Sequence, residues 1–148
     1  MTRPVILAAA VLALTSSAAL AFDYASVSRN AILFEASSLQ AKKLAIIRTG
    51  TPVEIVITTP DQQWARVRDP SGALSWIESN ALSKQRTVLV AAGQATARRE
   101  ANERSAVVFE VVRDVVLEFV SSSPNGWVRV RHPDGEVGFL RATEVWGL

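Results

Sequence analysis

Two segments of the chain carry the same ordered pattern, Trp-x-Arg-Val-Arg followed by a proline and a glycine, and this repeat constrains the fold most strongly. Trp64 aligns with Trp127, 63 residues further on, and the prolines and glycines that follow keep the same separation. Residues 53–56 also resemble residues 117–120, shifted by one residue, with the extra residue in the turn before the first tryptophan. The chain therefore contains two copies of one small folding unit.

Each copy consists of short runs of β-branched and aromatic residues separated by turn signals, which is typical of β-strands. Asn125-Gly126 is a hairpin signal, and each copy has a proline followed two residues later by a glycine, a second kind of turn. After the last strand of each copy, residues 78–82 and 142–145 resemble single helical turns. The predicted strands are residues 31–34, 43–47, 53–58, 64–68 and 74–77, then 95–98, 107–112, 115–120, 127–131 and 137–140.

The N-terminus has the features of a signal peptide. Arg3 gives a positive start, residues 4–14 are apolar, and the small residues Ala19 and Ala21 form a cleavage pattern. The alternative, an uncleaved membrane anchor, is disfavoured because the apolar run is shorter than the ~20 residues that a span needs. We therefore expect a periplasmic or secreted protein, cleaved after Ala21, with no stable membrane insertion after cleavage. The predicted domains are residues 1–21, 22–83 and 84–148.

Composition argues against several classes of function. The chain has no cysteine, so disulfides, thiolate metal sites and a cysteine nucleophile are excluded. Its net charge is +2, and the basic residues are interleaved with acidic ones, so we expect no nucleic-acid partner. His132 is the single histidine and falls in a predicted turn. No catalytic motif occurs, and we expect neither enzymatic activity nor a cofactor nor a metal.

Four motifs resemble the bacterial SH3 domain family, in particular a tandem form found in exported proteins. They are residues 50–56, the Trp-x-Arg-Val-Arg hairpin, the aromatic-apolar pair after it, and residues 82–90 with the closing segment 145–148. The resemblance implies an all-β fold of two tandem small SH3-like barrels after a cleaved N-terminal signal peptide. It also implies a targeting or binding module whose long loop after the first strand helps to form a ligand groove. Residues 34–38 and 98–102, which begin this loop, lack the Gly-Pro that family members often carry.

Alternation along the repeated strand gives the candidate binding residues, because successive side chains of a strand point to opposite faces. The small apolar residues share one face, and the tryptophan and two arginines share the other. Arginine beside tryptophan suits carboxylates, sugar faces or acidic peptides. The alternative is that each tryptophan covers the open end of a barrel, or packs between the copies, and that the arginines are solvated. The candidates are Trp64, Arg66, Arg68, Trp127, Arg129 and Arg131.

The remaining aromatic residues are interpreted as structural. Trp76 and Phe139 are expected mainly in the core, and Trp146 is expected to dock the C-terminal end. Because residues 83–86 form a short joint without a Gly/Ser linker, the two barrels are expected to pack against each other.

Two functions remain open at this stage. The first is a non-catalytic periplasmic binding or adaptor protein that recognises cell-wall peptide, glycan or an envelope protein. The alternative is a structural partner that stabilises an envelope protein complex without a small-ligand site.

Overall fold

The computed structural model describes residues 22–148, which form two antiparallel β-sheets of seven strands each. The strands of the first copy are β1 (Asp23–Val27), β2 (Ala31–Phe34), β3 (Lys43–Ile47), β4 (Pro52–Thr58), β5 (Trp64–Arg68), β6 (Leu74–Glu78) and β7 (Leu82–Ser83). Those of the second copy are β8 (Thr87–Val90), β9 (Gln94–Arg98), β10 (Val107–Val112), β11 (Val116–Ser123), β12 (Trp127–Arg131), β13 (Val137–Arg141) and β14 (Val145–Trp146). Short 3-10 turns lie at Ser79–Ala81, Pro124–Gly126 and Ala142–Glu144. The prediction of an all-β, repeated chain is confirmed, whereas the predicted signal peptide lies outside the described residues.

Both sheets have the same strand order, β3-β2-β6-β5-β4-β1-β7 in the first copy and β10-β9-β13-β12-β11-β8-β14 in the second. The prediction of two tandem SH3-like domains is confirmed. Among the described residues the first and last strands of a sheet do not pair, so neither sheet is a closed barrel. The reason lies in the last strands, which have two residues each and pair only with β1 and β8, respectively.

The inward faces of the two sheets form two separate apolar cores. In β5 and β12 every second residue is buried, and Val67 and Val130 are fully buried. Ile77 of β6 and Leu140 of β13, at equivalent positions, are also 0% exposed. The alternation predicted for the repeated strand is therefore present in both copies, with the small apolar residues facing inward.

The hairpin between β5 and β6 and the hairpin between β12 and β13 are closed by the paired glycines of the repeat. Gly72 has a φ of +88° and Gly135 a φ of +98°, a left-handed conformation that glycine adopts without a Cβ penalty. Asp69 and His132 stand at the same position before these turns, and each carbonyl accepts a hydrogen bond from the glycine N–H. His132 is therefore a turn residue, as its position in the sequence predicts.

The two copies are in contact through a joint built around Arg86. Its guanidinium lies 5.7 Å from the ring centroid of Tyr24 in the first copy. Within the second copy it donates a hydrogen bond of 2.7 Å from Nη2 to the Gly147 carbonyl and lies 4.3 Å from the ring centroid of Phe119. Tyr24 of the first copy packs edge-on against Trp146 of the second, with ring centroids 5.4 Å apart. Trp146 thus docks the C-terminal end, and it does so against the other copy.

Two further hydrogen bonds cross this joint. Thr87 Oγ1 donates to the Gly50 carbonyl at 2.6 Å, and Ser26 Oγ donates to the Gln85 carbonyl at 2.5 Å. The C-terminal end of the short segment between the copies is therefore held against the first copy, which agrees with the absence of a flexible linker in the sequence.

Candidate functional site

A groove on the first copy runs between the loop of residues 35–42 and the end of β6. It consists of two adjoining hollows of about 490 and 510 Å³, which share Leu39 and Glu78 as lining residues. The first hollow reaches Trp64 and the second reaches Ile46. Amide side chains line the first hollow, and they are those of Gln40, Gln62, Gln63 and Asn80.

Strand geometry places Trp64 in this groove. Because Ala65 and Val67 point into the core, Trp64 points to the outer face at the start of β5. Its ring packs edge-on against Phe34, with centroids 5.4 Å apart, and it remains half-buried. Glu78 lies directly opposite Trp64 in the β5–β6 ladder, so a carboxylate stands beside the ring.

Local hydrogen bonds hold both walls of the groove. The loop is closed at its base by the Glu35 N–H, which donates to the Lys42 carbonyl at 3.0 Å. On the opposite wall, Arg29 donates to the Asn80 carbonyl at 2.6 Å and to its side-chain oxygen at 2.8 Å. The exposed Leu39 is thereby held facing Glu78 across the groove.

A third hollow, of about 630 Å³, continues from the groove towards the joint between the copies. It shares Gln62 and Ser79 with the first hollow and reaches Tyr24 and Arg86. The recessed surface of the first copy thus continues from the loop of residues 35–42 to the joint.

The equivalent surface of the second copy is covered by the chain itself. Arg141 takes the place of Glu78, opposite Trp127, and its guanidinium carbon lies 4.6 Å from the Trp127 ring centroid. Glu103 takes the place of Leu39 in the corresponding loop and accepts hydrogen bonds from Arg141, one of them 3.1 Å from Nε. Trp127 is consequently only 5% exposed.

The ion pair also affects the titration of Glu103. The hydrogen bond from Arg141, followed by the charge of the guanidinium, lowers the pKa of the Glu103 carboxyl below its ordinary value. The carboxylate is therefore ionised, and paired, throughout the neutral range.

In each copy the tryptophan and the two arginines of the predicted binding face share the outer face of the repeated strand, but they are not all displayed to solvent. Trp127 is not displayed on the surface, so that part of the expectation is wrong, and the physical reason is the Arg141 guanidinium that covers its ring. Arg68 pairs with Glu54 at 3.0 Å. Arg131 pairs in the same way with Glu118 at 2.9 Å, at the far end of its strand from the tryptophan. Ligand binding by the six candidates stays a prediction.

The two remaining candidate arginines, Arg66 and Arg129, are exposed. The expectation that Trp76 and Phe139 belong mainly to the core is corrected, since both are only half-buried and neither is part of the core clusters. Strand alternation explains the error, because Ile77 and the preceding Ser75 take the inward positions of β6.

Sequence reasoning missed four groove residues, Leu39, Glu78, Glu103 and Arg141. Aligning the two copies would have shown the charge reversal between Glu78 and Arg141. The correspondence between Leu39 and Glu103 is harder to find in the sequence. The loops that contain them align at a residue separation different from the one that aligns the tryptophan strands. Among residues 22–148 no group of three or more potential metal ligands gathers. No helix within the same range is long and apolar enough to cross a membrane.

Three solved structures are similar to the chain at low identity. NlpC1 from Trichomonas vaginalis is 14% identical, with 91% of this chain and 50% of that one covered and a TM-score of 0.39. NlpC2 from the same organism is 12% identical, with 85% and 48% covered and a TM-score of 0.38. An NlpC/P60 family protein from Bacillus cereus is 17% identical, with 84% and 56% covered and a TM-score of 0.38. The chain thus spans about half the length of each structure.

The family comparison covers most of the described residues. The family model described as Bacterial SH3 domain matches twice, over residues 27–84 and residues 91–147. No curated protein matches the chain. The two matches coincide with the two sheets, each of which contains one copy of the repeat. The chain therefore belongs to the bacterial SH3 domain family and contains two consecutive domains of that family.

Proposed function

We propose that this protein is a non-catalytic binding module of the bacterial envelope, and that the groove of its first copy holds an extended peptide of the cell wall. The observation that carries the proposal is the open groove, with Trp64 and Leu39 as apolar contacts and a row of amide side chains beside them. Amides can donate to and accept from peptide backbone groups, while the apolar side chains cover the ligand.

The envelope setting is supported by two independent features. The N-terminal pattern predicts export to the periplasm or the outside of the cell. Bacterial SH3 domains are typical of cell-wall-associated proteins, and both copies belong to that family. A peptide of the cell wall is the kind of ligand that an exported module with such a groove encounters.

Co-sedimentation with purified peptidoglycan tests this proposal. The chain is expected to sediment with the wall material, and Trp64→Ala or Leu39→Ser is expected to reduce the bound fraction severalfold. Val112→Ser is the matched control, since Val112 is 59% exposed and Leu39 is 58% exposed, but Val112 lies in the second copy. Thermal unfolding of each variant verifies that the fold is kept. Absence of sedimentation, or sedimentation that both groove variants leave unchanged, contradicts the proposal.

One observation favours the alternative, a structural partner in an envelope protein complex. The edge strands β3 and β10 expose large apolar side chains, with Ile46 74% exposed and Val107 53% exposed. Unpaired strand edges with such residues are suited to pairing with another polypeptide. Under this alternative a protein is recovered from envelope extracts in stable complex with the chain, and Val107→Lys, outside the groove, releases it while Leu39→Ser does not.

A further inference from the structure

The two copies carry opposite charges at one position beside the same tryptophan. In the first copy Trp64 faces Glu78 across the β5–β6 ladder, and in the second Trp127 faces Arg141 across the β12–β13 ladder. Residues directly opposite in antiparallel strands have Cβ atoms roughly 5 Å apart, so each charged group lies within reach of its ring. The second copy therefore provides both the ring and a cation, whereas the first provides the ring and a carboxylate.

The second copy shows what a cation does at this position. The guanidinium of Arg141 lies over Trp127, 4.6 Å from the ring centroid, and pairs with the Glu103 carboxylate. A cation within roughly 6 Å of an indole centroid is attracted by the electron-rich face of the ring. The chain thus fills its own second groove with a basic side chain held between an aromatic ring and a carboxylate.

The first copy has the ring and a carboxylate but lacks the cation. Glu78 is half-buried and has no ion-pair partner among the described residues, and Trp64 is half-buried beside it. Leu39 stands where the second copy has Glu103. The basic residues near this part of the groove are Arg29, which is bonded to Asn80, and Lys43, which lines the second hollow and forms no ion pair with Glu78.

We propose that the groove of the first copy binds the basic side chain of its ligand, with the cation stacked on Trp64 and paired with Glu78. Leu39 covers the aliphatic stem of that side chain, as apolar residues do for lysine and arginine elsewhere. This inference rests on the proposed function and makes it more specific, since the extended peptide then carries an ammonium or guanidinium group. Glu78 is the residue that determines this preference.

The first test compares two blocked tripeptides as ligands, acetyl-Ala-Lys-Ala-amide and its norleucine analogue, which keeps the stem but lacks the charge. Binding is followed by the NMR shift of the Trp64 indole N–H, assigned with Trp64→Phe. The lysine peptide is expected to bind about fivefold more tightly, in line with the energies of cation–aromatic contacts and exposed ion pairs. Equal affinities, or tighter binding of the matching glutamate peptide, overturn the proposal.

The second test removes the carboxylate. Glu78→Gln is expected to lower the affinity for the lysine peptide about twofold to threefold and to leave that for the norleucine peptide unchanged, because stacking of the cation on Trp64 remains. Glu110→Gln is the control, because it makes the same change of charge at an exposed residue of the second copy. The two proposals fail separately: if Trp64→Ala abolishes sedimentation with peptidoglycan and Glu78→Gln leaves it unchanged, the groove binds the wall without recognising a basic group.

The third test exchanges the chemistry of the two grooves. Leu39→Glu with Glu78→Arg is expected to cover Trp64 and abolish binding in the first copy. Glu103→Leu with Arg141→Glu is expected to expose Trp127, so that the lysine peptide shifts its indole N–H. A folded second-copy exchange that exposes Trp127 without gaining binding contradicts the assignment. If either exchange fails to fold, the comparison of Glu78→Gln with Glu110→Gln decides.

Discussion

The two copies share a framework and differ in whether their groove is open. Strand order and inward-facing positions are the same, and even the ion pair of Arg68 with Glu54 recurs as Arg131 with Glu118. At the groove the difference lies in Glu78 and Leu39 of the first copy, which are replaced by Arg141 and Glu103 in the second. Duplication therefore preserved what the core requires, while the surface that would choose a ligand changed separately in each copy.

The pair of Arg141 and Glu103 that closes the second groove affects access to Trp127 more than it affects the folding stability of the second copy. Arg141 and Glu103 are both partly solvated, and ion pairs at such positions contribute little to folding. What the pair changes is the exposure of Trp127, which falls to 5%. The two cores can therefore have similar stability, although the first copy leaves its groove open to a ligand and the second copy fills its own.

Truncating equivalent core residues tests whether the frameworks are as similar as their topology. Ile77→Ala and Leu140→Ala each remove a fully buried side chain and are expected to lower the free energy of unfolding by about 3 kcal/mol. The measurement is urea unfolding followed by far-UV circular dichroism. Val112→Ala, at an exposed position, is expected to change stability by less than about 0.5 kcal/mol. Losses that differ by several kcal/mol between the two core variants would show that the two cores are packed differently.

The frameworks are predicted to differ at one inward position, where the first copy has Ser75 and the second has Gly138. A Cβ at Gly138 would lie 2.9 Å from the Ala97 Cβ and 3.2 Å from the Arg98 carbonyl oxygen, so Gly138→Ala is expected to destabilise the protein by about 2 kcal/mol. Ser75 Oγ is buried without a hydrogen-bond partner in the described part of the chain. Ser75→Ala is therefore expected to be neutral or to stabilise by up to about 1 kcal/mol.

Thermal unfolding of these two variants gives the comparison directly. Destabilisation by Gly138→Ala together with stabilisation by Ser75→Ala supports the view that this strand position is tightly packed in the second copy. In the first copy the same position then holds a hydroxyl without a hydrogen-bond partner. If Gly138→Ala is as stable as the wild type, the sheet of the second copy is able to shift away from the added methyl group.

Much of the framework could be predicted because it depends on local rules. The bounds of β2, β3, β5, β10 and β12 agree with the predicted strands, since alternation and turn residues define them within a few positions. β7 and β14 have two residues each, too few for a pattern, and the latter exists because of its pairing with β8. The groove could not be predicted in the same way, because the closeness of Glu103 to Arg141 depends on how a loop folds over a sheet.

The joint offers a way to separate the copies. Arg86→Ala removes the contact with the Tyr24 ring of the first copy, and with it the hydrogen bond to the Gly147 carbonyl and the contact with Phe119 in the second. Because its Nε is buried without a hydrogen-bond partner in the described residues, the net loss is expected to be about 1 to 2 kcal/mol. Calorimetry is expected to resolve two unfolding transitions in Arg86→Ala and a single one in the wild type. Arg113→Ala, at an exposed residue of the second copy, is the control. A single unchanged transition in Arg86→Ala would mean that the two copies unfold together without the contribution of Arg86.

The smallest effect concerns Tyr24, the residue through which the first copy contacts Trp146 at the joint. Burial, and then the negative charge of Glu54, raises the pKa of the Tyr24 phenol, although Arg86 and Arg68 act in the opposite direction. An acid whose pKa is raised on folding keeps its proton longer in the folded state than in the unfolded state. The resulting stabilisation is present below the unfolded pKa near 10 and is lost as the pH rises through the folded value.

Ultraviolet absorption of tyrosinate measures this directly, because Tyr24 is the single tyrosine of the chain. The folded protein is expected to titrate at higher pH than the chain in urea. Tyr24→Phe is expected to lose stability less steeply than the wild type above pH 10, by a few tenths of a kcal/mol. Thr87→Val is the matched control: it removes the joint's hydrogen bond to Gly50 from the second copy's side and introduces no titrating group. The stability of Thr87→Val should therefore fall with pH as steeply as that of the wild type above pH 10. If the stability of Tyr24→Phe falls just as steeply, Tyr24 is as solvated in the folded joint as in the unfolded chain.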